Sequence, residues 1–84
     1  MPDFSFSKHA EFVIKERAIK REWLENVLAA PEKTESDNDD PALKHALGRV
    51  PENEGKVLRV VYNDSVKPLR IVTAYFDRAM KGKL

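Results

Sequence analysis

The chain has no cysteine among its 84 residues, only three glycines and a single tryptophan. The missing cysteine excludes a disulfide framework and a thiolate metal site. The glycines are scattered, so no glycine-rich loop can cradle a phosphate. No apolar run reaches the length of a membrane span, and the first residues lack the segments of a signal peptide. We therefore expect a soluble cytoplasmic protein with one domain, residues 1–84, and a modest stability.

An excess of charge of one sign is missing too, because 15 Lys and Arg residues nearly balance 14 Asp and Glu residues, a net charge of +1. This balance gives no global attraction to nucleic acid, and neither DNA nor a membrane is an expected partner. The distribution is uneven, however. Acidic residues concentrate in residues 32–40 and 52–54, whereas the C-terminal region is basic. The pattern fits either an ordinary solvated surface or a local basic groove.

Two runs of β-branched and aromatic residues, Leu58–Tyr62 and Arg70–Phe76, flank a turn-rich spacer and predict an antiparallel hairpin. Period-2 alternation predicts a core face made of Leu58, Val60, Tyr62, Val72, Ala74 and Phe76. The opposite face then carries Arg59, Val61, Ile71, Thr73 and Tyr75. Its mixture of apolar, cationic and hydroxyl groups suits a floor that is partly open to a ligand.

The first half of the chain predicts two helices. Ser7 is a plausible N-cap for a helix over Lys8–Arg17, and apolar residues at helical spacing predict a second over Arg21–Ala30. Pro31 ends this second helix. Before them, Phe4–Phe6 fits either a short edge strand or an apolar lead-in.

The middle of the chain is ambiguous. Residues 32–41 fit a strand that ends in a loop, or a loop alone. Leu43–Val50 fits a strand or a helix capped by Asp39 or Asp40. We favour the strand because Gly48 is unfavourable inside a helix and the connection to the next strand is short. The result is an α+β order of two helices followed by strands.

A metal site is not expected, since the two histidines and the acids do not follow any metal-ligand spacing. No other cofactor is expected. The remaining His, Arg, Tyr and Lys residues are those used in metal-independent RNA cleavage, which needs a base, an acid and cations for the phosphorane charge. RNA is therefore a candidate partner.

Each candidate residue has a structural alternative. His9 is a candidate catalytic base or acid, since imidazole titrates near neutral pH, but it equally suits a surface position. Arg59 and Arg78 are candidate phosphate clamps, and Arg17 suits either substrate or the helix C-terminus. Tyr75 can donate a hydrogen bond, stack on a base or fill a half-buried strand position.

His45 is a candidate substrate-binding residue whose face depends on strand register. Lys44 and His45 point to opposite faces of the predicted strand. A register change of one residue decides which of them joins the site, and the alternation leaves both open.

Five short segments together resemble a small bacterial family of unknown function that is similar to the RelE-type toxin superfamily. The pattern reads S-x-H-A, E-R-G-I, an L-x-x-P helix end, L-R-V-V and V-T-x-Y, and covers nearly the whole chain. It is carried by Ser7–Ala10, Glu16–Ile19, Leu28–Glu32, Leu58–Val61 and Val72–Tyr75. Ala18 stands where the pattern has glycine, and Lys20 where it has serine.

The resemblance implies two helices packed on a curved antiparallel sheet of three to four strands. It implies an mRNA-cleaving toxin, acting alone or with the ribosome and held in check by a cognate antitoxin. His9, Arg59 and Tyr75 then match the catalytic positions, with Arg78 following. Two non-catalytic hypotheses compete with this one, a protein-binding module that uses the sheet or the Trp23 helix, and RNA binding without cleavage.

Overall fold

The computed structural model describes residues 3–84 and places two helices on one face of a five-stranded sheet. The helices are α1 (Lys8–Glu16) and α2 (Arg21–Ala29). The strands are β1 (Phe4–Phe6), β2 (Lys33–Ser36), β3 (Leu43–Val50), β4 (Lys56–Asn63) and β5 (Leu69–Phe76). Their spatial order is β1-β5-β4-β3-β2. Within residues 3–84, no helix is long and apolar enough to cross a membrane.

The sheet differs from the expected antiparallel sheet of three to four strands. It has five strands and is mixed, because β1 runs parallel to β5 at one edge while the other pairs are antiparallel. Of the alternatives, Phe4–Phe6 is the edge strand and residues 33–36 form β2 at the other edge. Both strands are short, and Lys33–Ser36 contains no apolar residue, so the alternation that reveals a half-buried strand is absent.

The predicted start of α1 is confirmed, and its end follows a defined motif. The Ser7 hydroxyl accepts a hydrogen bond from the Ala10 amide at 3.0 Å, as an N-cap does. At the other end, Ala18 donates to the Lys15 carbonyl and Ile19 to the Ile14 carbonyl. These two bonds form a Schellman motif, in which Ala18 takes the left-handed conformation at φ 53°.

Residues 43–50 form a strand along their whole length, as favoured from the sequence. Gly48 on this strand faces α2, and a Cβ atom there would lie 3.2 Å from Val27 Cγ2. The missing side chain therefore lets α2 pack close to the sheet.

The predicted core face is correct except at one point in β5. Val60 pairs with Ala74 and Leu58 with Phe76, but Val61 pairs with Thr73 while Tyr62 pairs with Ile71. Val72 has no partner in β4 and forms a β-bulge. The residues of β5 before this bulge therefore face the side opposite to the one that simple alternation predicts. Ile71 is consequently fully buried in the core. Its predicted place on the opposite face, with Val72 in the core, was wrong for this reason.

Candidate functional site

The candidate site lies on the sheet face opposite the helices, hereafter the open face. Leu58, Val60 and Ala74 belong to the core under the helices, so Arg59 and Tyr75 point to the other side. Arg59 on β4 lies directly between Leu47 on β3 and Tyr75 on β5. The register therefore brings Arg59 and Tyr75 side by side, as the hairpin prediction required.

Arg59 is the centre of a hydrogen-bonded network. Its side chain is buried, with the residue 9% exposed. Its Nε donates to Asp77 Oδ2 at 2.8 Å, and its Nη1 donates to Glu35 Oε1 at 2.8 Å. Nη1 also lies 2.7 Å from His45 Nδ1. A buried guanidinium costs free energy unless its charge is paired, and two carboxylates provide that pairing.

The register also resolves the choice between Lys44 and His45. His45 pairs with Val61 and Glu35 and faces the open side, whereas Lys44 points the other way and forms an ion pair with Asp64. His45 Nε2 lies 2.8 Å from Asp37 Oδ1. Because a guanidinium can only donate, Nδ1 must be the acceptor, so the proton sits on Nε2 and is donated to Asp37.

These contacts shift the titration of the network. The hydrogen bond from Arg59 lowers the pKa of Glu35 below its ordinary value, although partial burial acts in the opposite direction. The hydrogen bond from His45, together with those from the Asp40 and Asp39 amides, lowers the pKa of Asp37. Burial alone would lower the pKa of Arg59, but the bonds to Glu35 and Asp77 outweigh it and raise the pKa. The network therefore favours the ionised forms of Glu35 and Asp37.

A cavity of about 550 Å³ opens above this network, and we call it the acidic cavity. Four carboxylates line it together with one guanidinium and one imidazole. The charged, imidazole and phenol groups of its lining belong to Glu35, Asp37, Asp39, His45, Arg59, Tyr75 and Asp77. Within residues 3–84, no group of three or more His, Asp or Glu side chains is arranged to hold a metal ion.

A second cavity, of about 720 Å³, adjoins the first, and we call it the basic cavity. Its cations are Arg17, Lys56, Arg78 and Lys81, and it shares Tyr75 and Asp77 with the acidic cavity. Arg17 follows α1 and donates through Nη1 to the Ala74 carbonyl on β5 at 2.8 Å. The short 3-10 helix Arg78–Met80 carries the third cation and is capped by Asp77.

The structure thus brings five of the six predicted site residues to one region, namely Arg17, His45, Arg59, Tyr75 and Arg78. His9 is not among them. Its helix lies on the core face, where Ala10 and Val13 are buried, and His9 itself is exposed and lines neither cavity. The first turn of α1 is separated from Arg59 by the sheet.

Several residues of the region were not identified from the sequence. Asp77 lies two residues beyond Tyr75, so period-2 alternation could have placed both on one face. Lys81 belongs to the basic C-terminal region, but only the fold turns that region toward Tyr75. Glu35, on β2, and Asp37, just after it, had no usable signal, because β2 was ambiguous in the sequence and its pairing register was unknown.

A protein-family model matches residues 6–76 of this chain, and its description is "Domain of unknown function (DUF4258)". The chain belongs to this family. The match includes α1, α2 and all of β2 to β5, and therefore most of the two cavities. No curated protein and no solved structure matches the DUF4258 chain. The RelE-type part of the resemblance rests on the residue patterns alone.

Proposed function

We propose that this DUF4258 domain is a metal-independent endoribonuclease whose reaction takes place on the open face beside Tyr75. The observation that carries the proposal is the grouping of His45, Arg59 and Tyr75 next to a cavity lined by four cations. An imidazole, a guanidinium and a phenol are the groups that such a reaction needs. His45 takes the role that the sequence had suggested for His9.

In the proposed reaction, Arg59 turns from His45 Nδ1 to the bound substrate, and Nδ1 then accepts the proton of a ribose 2′-hydroxyl. The 2′-oxygen attacks the adjacent phosphorus, and the bond to the 5′-oxygen of the next nucleotide breaks. Tyr75 donates the proton that this leaving oxygen requires, and Arg59 stabilises the charge on the phosphorane. The products are a 2′,3′-cyclic phosphate and a 5′-hydroxyl. Asp37 accepts a hydrogen bond from Nε2 and orients the imidazole.

The basic cavity supports RNA as the substrate. Its four cations, Arg17, Lys56, Arg78 and Lys81, offer phosphate contacts on one side of Tyr75. An aromatic ring beside such a groove also provides a stacking surface for an unpaired base. The overall charge of +1 does not oppose this arrangement, because the acidic residues on the other side account for the balance.

The test is RNA cleavage by purified protein in the presence of EDTA. We expect wild-type protein to produce 2′,3′-cyclic phosphate ends, and His45→Ala to lower the rate by about two to four orders of magnitude, the size of a general acid-base effect. His9→Ala is the matched control and should cleave at the wild-type rate.

Two results would contradict the proposal. One is unchanged cleavage by a folded His45→Ala variant, which would remove His45 from the mechanism. The other is the absence of cleavage by wild-type protein on unstructured RNA and on translating ribosomes. In that case, salt-dependent RNA affinity would indicate binding without cleavage.

We extend the proposal, on the RelE-type resemblance, to a bacterial toxin that is inhibited by an antitoxin protein. Inducible expression should then stop growth, and His45→Ala should relieve the arrest. Coexpression of a small protein encoded in the adjacent reading frame should also relieve it. A neutral effect of wild-type expression on growth and on RNA integrity would count against this extension.

The alternative function is a protein-binding module without enzymatic activity. The complete pairing of Arg59 favours it, since a guanidinium satisfied by Glu35 and Asp77 is also a stable structural element. Such a module would use the sheet, because Trp23 is only 8% exposed and packs edge-on against Phe76. A stable complex formed by a protein that neither cleaves RNA nor inhibits growth would favour this alternative.

A further inference from the structure

We propose that the Glu35 carboxylate occupies the position on Arg59 that a substrate phosphate takes, so that strand β2 is an internal competitor for RNA. This inference rests on the proposed function. It starts from the acidic segment of residues 32–40, in which the proposed cleavage assigns a role to Asp37 but none to Glu35. The fold places two of its carboxylates, Glu35 and Asp37, directly on the two groups proposed for catalysis.

The two carboxylates bound to Arg59 differ in how firmly they are held. Asp77 is fixed by its surroundings, because its amide donates to the Val57 carbonyl at 2.8 Å and its Oδ1 accepts from Ala79. Glu35 lies on an edge strand of four residues, and its second oxygen is 3.4 Å from the exposed Lys33 ammonium. A rotation of the Glu35 side chain frees Nη1 without disturbing the sheet.

A phosphate is a chemical match for the vacated position. Carboxylate and phosphate oxygens accept the same charge-assisted hydrogen bonds from a guanidinium. A phosphate at Arg59 would lie beside Tyr75, at the junction of the two cavities. The anion that replaces Glu35 is therefore the scissile phosphate itself.

Displacement of Glu35 also affects the proposed base. The same Nη1 group that binds Glu35 donates to His45 Nδ1 and occupies its lone pair. Glu35 Oε1 and His45 Nδ1 each take one of the two N–H groups of Nη1, and a phosphate has enough acceptor oxygens to take both of them. Nδ1 then loses its donor and becomes free to accept a proton. In the unliganded protein, both reactive groups are thus blocked by internal contacts, and the substrate releases them together.

The test compares Glu35→Gln with Glu32→Gln. Glu32 is the matched control, since it belongs to the same acidic segment but pairs with Arg49, away from the acidic cavity. The probe is a fluorescent single-stranded oligonucleotide with 2′-O-methyl groups, which cannot be cleaved. We expect Glu35→Gln to bind it roughly two- to fivefold tighter by anisotropy, the effect of losing one partly exposed ion pair, and Glu32→Gln to bind like wild type.

A second variant distinguishes two effects of Glu35: direct binding of its carboxylate to Arg59, and general repulsion between its charge and the RNA. Glu35→Asp keeps the charge but shortens the side chain, so it should bind the probe more tightly than wild type if the carboxylate must reach Arg59. Tighter binding by Glu35→Gln alone, or an equal gain in Glu32→Gln, would overturn the inference. Thermal unfolding checks that each variant is folded.

The outcomes also distinguish this inference from the proposed function. If wild-type protein cleaves RNA but neither Glu35 variant binds the probe more tightly, the competitor role is wrong and the ribonuclease stands. If both Glu35 variants bind more tightly but no protein cleaves RNA, Arg59 is an anion site masked by Glu35 and the proposed ribonuclease activity is wrong.

Discussion

At the scale of single residues, Arg59 serves the fold and the candidate site together. It is buried on the open face and donates to Glu35, Asp77 and His45. Its removal would take the ion-pair partner from Asp77 and leave Glu35 with the Lys33 ammonium alone, which is destabilising whatever the function. A loss of activity in an Arg59 variant is therefore weak evidence for catalysis. Tyr75→Phe is more informative, because it removes the proposed proton donor but keeps the ring.

The ion pair of Glu35 predicts a dependence of stability on pH. The hydrogen bond from Arg59 holds the pKa of folded Glu35 below its ordinary value of 4.5, so the unfolded chain binds a proton first as the pH falls. The stabilisation is present above about pH 4.5 and is lost as the pH falls through the folded pKa. The stability difference between wild type and Glu35→Gln should therefore shrink in acid.

Urea unfolding of both proteins between pH 3 and pH 7 measures this difference. As the pH falls below 4.5, the free energy of unfolding should decrease more steeply for wild type than for Glu35→Gln. A constant difference across the whole range would show that the ion pair is absent in solution. Because Glu35 is partly exposed, added salt should reduce the effect.

At the scale of elements, the turn between the helices contains local strain. Ala18 takes a left-handed conformation that carries a steric cost for any residue with a Cβ atom. The bonds of Ala18 and Ile19 to α1 hold it there, as does the buried Ile19 side chain. The sequence pattern has glycine at this position, and the positive φ explains why glycine suits it.

Ala18→Gly should therefore stabilise the protein, even though glycine usually destabilises helical regions. We expect a gain of about 0.5 to 1 kcal/mol, since relief of the strain exceeds the greater entropy of the unfolded chain. Ala29→Gly, in the last turn of α2, is the matched control and should cost about 0.5 to 1 kcal/mol. Chemical denaturation measures both, and a loss of stability in Ala18→Gly would contradict the argument.

An element can be predicted from the sequence when the residues that define it are neighbours along the chain. Ser7 was identified as an N-cap because a cap is defined by its immediate neighbours. The hairpin was identified because alternation is a property of each strand. β2 is ambiguous in the sequence, and the reversal at Ile71 has no local signal, because an edge strand and a bulge are defined by the partner strand.

At the scale of the whole molecule, a nearly neutral chain has two cavities of opposite charge that share Tyr75 and Asp77. A net charge of +1 therefore underestimates the local attraction for an anion. RNA bound at the basic cavity would meet the acidic cavity on the far side of Tyr75. We expect the protein to bind few phosphates and to show a shallow salt dependence.

A comparison of Lys81→Ala with Lys83→Ala tests which cations bind RNA. Lys81 lines the basic cavity, whereas the nearby Lys83 does not. For a single-stranded RNA, the slope of log affinity against log salt should become shallower by about 0.7 in Lys81→Ala, one phosphate contact. Lys83→Ala should keep the wild-type slope. Equal slopes in all three proteins would show that Lys81 makes no phosphate contact.

The candidate site was only partly predictable. Arg59 and Tyr75 were placed on one face by alternation within their own strands. His45 and Lys44 could not be separated, because their facing depends on how β3 pairs with β4. His9 was chosen by residue type and helix position, and nothing in the chain indicated that the sheet would separate it from Arg59. Distances across the sheet are properties of the packed structure.

The sequence alone determined the hairpin, the helix cap and the two helices, and it favoured a strand over a helix at residues 43–50. Each depends on propensity and periodicity over a few neighbouring residues, which act in the same way in any fold. Tertiary structure alone decided that His45 rather than His9 faces Arg59, that β2 brings Glu35 to Arg59, and that the basic C-terminal region meets Tyr75. These contacts join residues that are distant along the chain, and only the register and packing of the sheet bring them within a few ångströms.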